Sequence, residues 1–148
     1  MSANGASREA IVHETRSWIG TPYVHQASLI GVGCDCLGLV RGVWRGVIGV
    51  EPEQAGAYAP DWAEASGVER MLLAADRHFV RAHDGNLQAG DLLIFRWRAN
   101  LPAKHAAIAT SRETMVHAHE GASVCEVTIA PAWRRRLAGI FSFPGVSA

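Results

Sequence analysis

The chain has 148 residues, 49% of them hydrophobic and 19% charged, and its 14 basic and 14 acidic side chains cancel. That length builds one domain with a full core, which needs no disulfides or metals to hold it. Zero net charge excludes a general electrostatic grip on nucleic acid, and the hydrophobic content excludes disorder.

The first residues, Met1 to Ser7, show no basic region followed by an apolar run. They read as a short flexible tail over 1–6 and as the start of a cytoplasmic product rather than a secreted one. Ser7 is placed to cap a helix in which Ile11, Thr15, Trp18 and Ile19 recur at helical spacing. Gly20-Thr21-Pro22 stops it. After a loop with Gly31 and Gly33, Cys36 to about Ile48 reads as a second helix, with Leu39, Val40, Val43, Trp44 and Val47 toward the core. Gly38, Gly42 and Gly46 form a stripe at four-residue spacing. Each glycine costs a helix about 1 kcal/mol against alanine, so this face is expected to lie close against another element. Residues 49–61 read as a surface loop, and Asp61 as the cap of a third helix with Val68, Met71, Leu72 and Ala75 on one face.

From about Phe79 the pattern becomes strand-like. Leu92–Trp97, His105–Thr110, Met115–His119, Val124–Ile129 and Leu137–Phe143 read as strands, with turn signals between most of them. Helices first and strands second predict an α+β fold, with an antiparallel sheet of five to six strands covered on one face. No internal repeat divides residues 1–148, so a single domain is expected. No stretch approaches ~18 uninterrupted apolar residues, so no membrane insertion is expected.

Three cysteines, an odd number, do not make a disulfide framework. Cys36 stands at a predicted helix start, preceded by Asp35. Unpaired N–H groups and the positive end of the helix dipole favour a thiolate there. A sulfur nucleophile needs a base, and the base needs an orienter. His105 opens one strand and His117 sits on a neighbouring one. Side chains alternate along strands, so His117 and His119 share a face, as do His105, Ala107 and Ala109. The small residues beside His105 are expected to leave room for the helix end. A cysteine at a helix start against a sheet bearing two histidines is papain-type geometry.

These motifs resemble the NlpC/P60 cysteine peptidases. Asp35-Cys36-Leu37-Gly38-Leu39-Val40 is similar to that family's Asp-Cys-Ser-Gly-Leu-Val nucleophile motif. Gly20-Thr21-Pro22-Tyr23 resembles its Gly-x-Pro-Tyr segment, and Gly90-Asp91-Leu92-Leu93-Ile94-Phe95 its Gly-Asp-Leu strand. Lys104-His105-Ala106-Ala107-Ile108 is similar to its His-Val-Gly-Ile strand, and Met115-Val116-His117-Ala118 to its Ile-His-Ala segment. Order and spacing agree over roughly residues 8 to 143. The resemblance implies that Cys36 attacks a peptide carbonyl, His105 moves the proton and His117 orients His105, with His119 as the rival orienter. Tyr23 and the Cys36 N–H at the helix start would serve the oxyanion, with Asp35 beside them in the cleft. The implied substrate is a peptidoglycan peptide, cut between D-glutamate and diaminopimelate.

Leu37 replaces the family's usual serine and Ala107 its usual glycine. The first, with the compact chain, resembles the branch carried in the tails of phages and gene transfer agents. That implies tail-tip or hub proteins as partners, and work at the host cell wall after export inside a particle. Two alternatives remain open: a structural tail-tip subunit with little activity, and an amidase cutting the muramoyl–alanine bond.

Cys34 and Cys36 form a Cys-x-Cys pair, but a structural zinc site needs a second matching pair, and Cys125 stands alone. No metal or other cofactor is expected. Cys34 is read as a loop residue near the cleft and Cys125 as core. Arg134-Arg135-Arg136 reads as a solvated face that could dock an acidic partner. Trp18 and Trp44 fit core stripes, and Trp62, Trp97 and Trp133 fall near loops or edges.

Overall fold

The computed structural model describes residues 6–52, 70–82 and 85–146. Helix α1 spans Arg8–Ser17, and its Ser7 cap accepts from the Ala10 N–H at 3.0 Å. Ala6, just before the cap, is already buried in the core. Ile11, Thr15 and Trp18 face inward, and the chain leaves the helix at Gly20 with a positive φ of 92°.

A small hairpin follows, β1 (Ser28–Leu29) against β2 (Gly33–Cys34), where the sequence reads as plain loop. It leads into helix α2, Cys36–Val47. The glycine stripe of α2 is a packing face. A Cβ at Gly38 would fall inside the Ala27 carbonyl group, and one at Gly42 inside the Trp18 indole. Helix α3 spans Arg70–His78 and buries Met71, Leu72 and Ala75. The Asp61 cap, Val68, Trp62 and most of the 49–61 loop lie outside the described residues.

Among the described residues six strands form one sheet: β3 (Val80–Arg81), β4 (Leu92–Phe95), β5 (His105–Ala109), β6 (Thr114–His117), β7 (Cys125–Thr128) and β8 (Leu137–Ser142). Their order is β3-β8-β4-β5-β6-β7, and every pairing is antiparallel. A short helix absent from the sequence reading, α4 (Pro131–Arg135), precedes β8. Its Pro131 sits at the first turn, where a missing N–H costs nothing.

The expected one-sided cover is incorrect. On one face Leu92, Ile94, Ala106, Ile108, Val116 and Phe141 pack under α1, α2 and α3. On the other, Leu93, Phe95, Ala107, Met115 and Ile140 are closed over by Leu87, Ile129 and Trp133. The cause is legible in β4 and β5, whose residues are buried without alternation, as strands covered on both faces must be. The Arg8 guanidinium ties α1 to this sheet, donating to Asp91 at 2.7 Å and to the Ala89 carbonyl at 3.0 Å. Among the described residues no helix is long and apolar enough to cross a membrane.

Candidate active site

Cys36 is the first residue of α2, and the Asp35 before it caps the helix. The Asp35 carboxylate accepts from the Gly38 N–H at 2.7 Å and from the Gln26 N–H at 2.8 Å. His25 Nδ1 lies 3.8 Å from the same carboxylate. These bonds fix the helix start against the 23–28 loop, and the helix start places the thiol.

His105 opens β5 and His117 closes β6, both almost fully buried. Strands β5 and β6 pair at Ile108↔Val116 and Ala109↔Met115, and no pairing continues toward His105. In that opening His105 Nε2 and His117 Nδ1 meet at 2.9 Å. His119 stands beyond the strand end, exposed, with Nδ1 at 3.1 Å from the Glu120 carbonyl. The bond to His105 is therefore made by His117, while His119 stays on the rim.

The thiol reaches the same opening. Its S–H donates to the Lys104 carbonyl at 3.9 Å, and the N–H groups of Ala106, Leu37 and Cys36 lean on the sulfur. The room expected beside Ala107 is not what admits the helix end. Ala107 faces the second core, and α2 packs over Ala106 and Ile108 instead. Cys36 thus approaches His105 across the β5 backbone, and its hydrogen bond goes to the carbonyl preceding His105 rather than to the imidazole. Tyr23, His25, Asp35, Cys36, Trp97, Lys104, His105, His119 and Glu120 line one cleft.

Burial, reinforced by the Asp35 charge, pushes the Cys36 thiol up to about 12. Burial and the nearby His117 and His119 push His105 down to about 3, and burial and His119 push His117 down to about 4. At neutral pH the resting site therefore holds a neutral thiol and neutral imidazoles. Burial first, then the Cys36 and Asp35 charges, raises Tyr23 to about 12, so its hydroxyl stays a proton donor. For His105 to serve as a base at Nδ1, its Nε2 must carry the ring hydrogen and donate to His117 Nδ1. The 2.9 Å contact accommodates that tautomer, with His117 Nδ1 as the acceptor.

Two expectations change. Cys34 lies on β2 and is wholly buried, with burial raising its thiol to about 12; it is core, not cleft loop. Cys125 is only half-buried on β7, because β7 is an edge strand. The 134–136 run is exposed, as a solvated face should be, and two of its arginines also bond backbone carbonyls: Arg134 donates to Ile129 and Arg112, and Arg136 to Trp97 and Ala132. Among the described residues no group of three or more His, Cys, Asp or Glu side chains has the spacing to hold a metal ion. The sequence reading missed Trp97 and Trp133, which stack on His105 at 5.2 and 5.5 Å between ring centroids. Phe95 pairs with His105 in the β4–β5 register, and Trp97 is two residues further along, on the same face.

A cysteine at a helix start, packed across an antiparallel sheet from a hydrogen-bonded histidine pair, is the papain-like arrangement. The NlpC/P60 family profile matches residues 20–142, and the chain belongs to the NlpC/P60 family, whose members are peptidoglycan hydrolases of the cysteine-peptidase kind. The NlpC/p60 domain of the peptidoglycan hydrolase SagA is similar at 25% identity and a TM-score of 0.59, over 92% of this chain and 98% of that one. An NlpC/P60 family protein from Bacillus cereus ATCC 10987 aligns at 19% identity and a TM-score of 0.68, over 96% of this chain. NlpC1 from Trichomonas vaginalis aligns at 15% identity and a TM-score of 0.66, over 92% of this chain. This chain spans 43% and 44% of the last two proteins. No curated protein matches the chain.

Proposed function

We propose that this chain is a cysteine endopeptidase acting on the peptide stems of peptidoglycan. The observation that carries the reading is the His105–His117 bond at 2.9 Å in the opening that also receives the Cys36 thiol. Substrate entry turns the thiol from the Lys104 carbonyl toward His105 Nδ1, which takes its proton as the sulfur attacks the carbonyl carbon. The oxyanion forms beside the Cys36 N–H and the Tyr23 hydroxyl. His105 then protonates the leaving amine, and water attacks the acyl-thioenzyme with His105 again as base.

The finer reading is that the scissile bond joins D-glutamate to diaminopimelate, and that the chain works from a phage-like tail tip, among hub proteins, on the host cell wall. The family membership supports the substrate class. The resemblance at Leu37 and the zero net charge support a docked life. One observation favours the quieter alternative, a tail subunit with little activity: the thiol is held neutral and bonded away from the imidazole.

Purified peptidoglycan treated with wild type and Cys36→Ala, with fragments read by mass spectrometry, decides among these. Endopeptidase action exposes a new diaminopimelate amino group in the wild-type digest alone. Free L-alanine amines on released stems would establish the amidase instead. Equal, empty digests would favour the structural subunit.

A further inference from the structure

His105 does not sit in an aliphatic pocket. The Trp97 indole stacks on its ring at 5.2 Å between centroids and 24° between planes. The Trp133 indole stacks at 5.5 Å and 27°. The two indoles are 5.7 Å apart, so the three rings form a compact triangle rather than a sandwich. Phe95 lies behind at 6.1 Å from His105.

Both indoles are held by the chain around them. Arg136 Nε donates to the Trp97 carbonyl at 3.2 Å, and its Nη1 donates to the Ala132 carbonyl at 3.1 Å. The Arg96 N–H donates back to the Arg136 carbonyl at 2.8 Å. One residue therefore ties the segment of Trp97 to the helical turn that carries Trp133. Arg134 anchors the same turn through the Ile129 and Arg112 carbonyls.

Proton abstraction from Cys36 makes His105 an imidazolium. The orienter here is His117, which brings no negative charge. The titratable and charged groups around His105 and its cleft are His117, His119, His25, Lys104, Tyr23, Glu120, Asp35 and Cys36. The three histidines and Lys104 bring no negative charge, and the Asp35 carboxylate already accepts from the Gly38 and Gln26 N–H groups. Indole faces attract a cation within about 6 Å, and more strongly where water is excluded.

We propose that Trp97 and Trp133 are positioning residues whose ring faces stabilise the His105 imidazolium formed in the reaction. This role rests on the proton transfer described under Proposed function. The proton leaves Cys36 Sγ for His105 Nδ1, the sulfur keeps the electron pair, and the same proton later goes to the leaving amine. The indoles take no part in bond making. They lower the energy of the charged ring from its faces, a stabilisation that other triads draw from a carboxylate at the ring edge.

The test is alkylation of Cys36 by iodoacetamide at pH 7, followed at that residue by mass spectrometry, which needs no peptidase activity. Leucine at either tryptophan keeps the apolar burial and removes the ring face; phenylalanine keeps a weaker face. Trp97→Leu and Trp133→Leu should each slow alkylation about tenfold, and the phenylalanine variants about two- to threefold. In stem-peptide cleavage the same order should appear in kcat, with KM near wild type. Leucine and phenylalanine variants that both match wild type would overturn the role, because packing alone would then explain the rings. Should the leucine variants not fold, wild type grown with fluorinated tryptophan keeps the ring shape and weakens its face. Slower alkylation then supports the role, and an unchanged rate overturns it. His105→Ala separates the two readings. If it leaves alkylation unchanged, the proton transfer and the indole role both fail. Tryptophan-dependent alkylation without any peptidoglycan cleavage would sink the peptidase reading and leave the indole role standing.

Discussion

Replacing Asp35 tests how the helix start holds the thiol. Its carboxylate is 2% exposed and accepts two N–H groups, from Gly38 in the first turn of α2 and from Gln26 in the preceding loop. Asp35→Ala uncaps the helix, at about 0.5–2 kcal/mol. It also leaves the Gln26 N–H without its acceptor, at about 1–3 kcal/mol, toward the low end because that loop can recover water. The expected loss is about 2–3 kcal/mol in urea unfolding, a large part of a domain's stability. Asp35→Asn keeps one acceptor oxygen for Gly38 but turns an amide toward Gln26, so about half that loss is expected. The two variants also separate structure from charge. After burial, the Asp35 charge is the largest influence raising the Cys36 thiol to about 12. In Asp35→Asn the thiol should ionise at lower pH, and iodoacetamide rates should begin to rise earlier on a pH scale than in wild type. A stability loss below about 0.5 kcal/mol for Asp35→Ala, the level of an ordinary surface change, would refute the capping argument. An unshifted alkylation profile in Asp35→Asn would refute the charge argument.

Three more outcomes are expected. His105 and His117 are pushed below the usual histidine value of 6.5, to about 3 and about 4, so between those values the unfolded chain binds protons that the folded one does not. Stability should be full above about pH 6.5 and fall on acidification, by up to about 1.4 kcal/mol per pH unit for each ring; unfolding at several pH values should show a shallower fall in His105→Gln/His117→Gln. Gly42→Ala should destabilise by about 1–3 kcal/mol in thermal melts, because its Cβ falls inside the rigid Trp18 indole. Gly46→Ala should be near neutral, because its Cβ meets the movable end of Glu14 at 2.6 Å. His117→Ala should lower kcat by about 10²-fold or more with little change in KM, whereas His119→Ala, whose ring is exposed on the rim, should lose far less; equal losses would overturn the choice of orienter.

Much of the fold was legible because its signals are local. The Ser7 cap, the α2 stripe of Leu39, Val40 and Val43, and the apolar run Leu92–Phe95 each declare their element within a few residues. The glycine stripe even announced a close contact, though only the packing showed that Trp18 and the Ala27 carbonyl fill it. The β1–β2 hairpin and α4 escaped because two-residue strands and a five-residue helix are too short to carry a period. The second core escaped because unalternating burial in β4 and β5 needs a cover drawn from distant segments, Leu87, Ile129 and Trp133.

By itself the sequence determined the lack of charge excess, an α+β order of elements, and the candidates for the chemistry: a thiol at a helix start and two histidines on successive strands. These follow from spacing and side-chain type, which act over a few residues. Only the tertiary structure decided that His117 rather than His119 bonds His105, that the resting thiol bonds the Lys104 carbonyl, and that two indoles stack on the base. The divergence of β5 and β6, the packing of α2 over Ala106 and the Arg136 tie between Trp97 and α4 join residues far apart in the chain. No local pattern encodes such distances; they are set where surfaces from separate elements exclude water together.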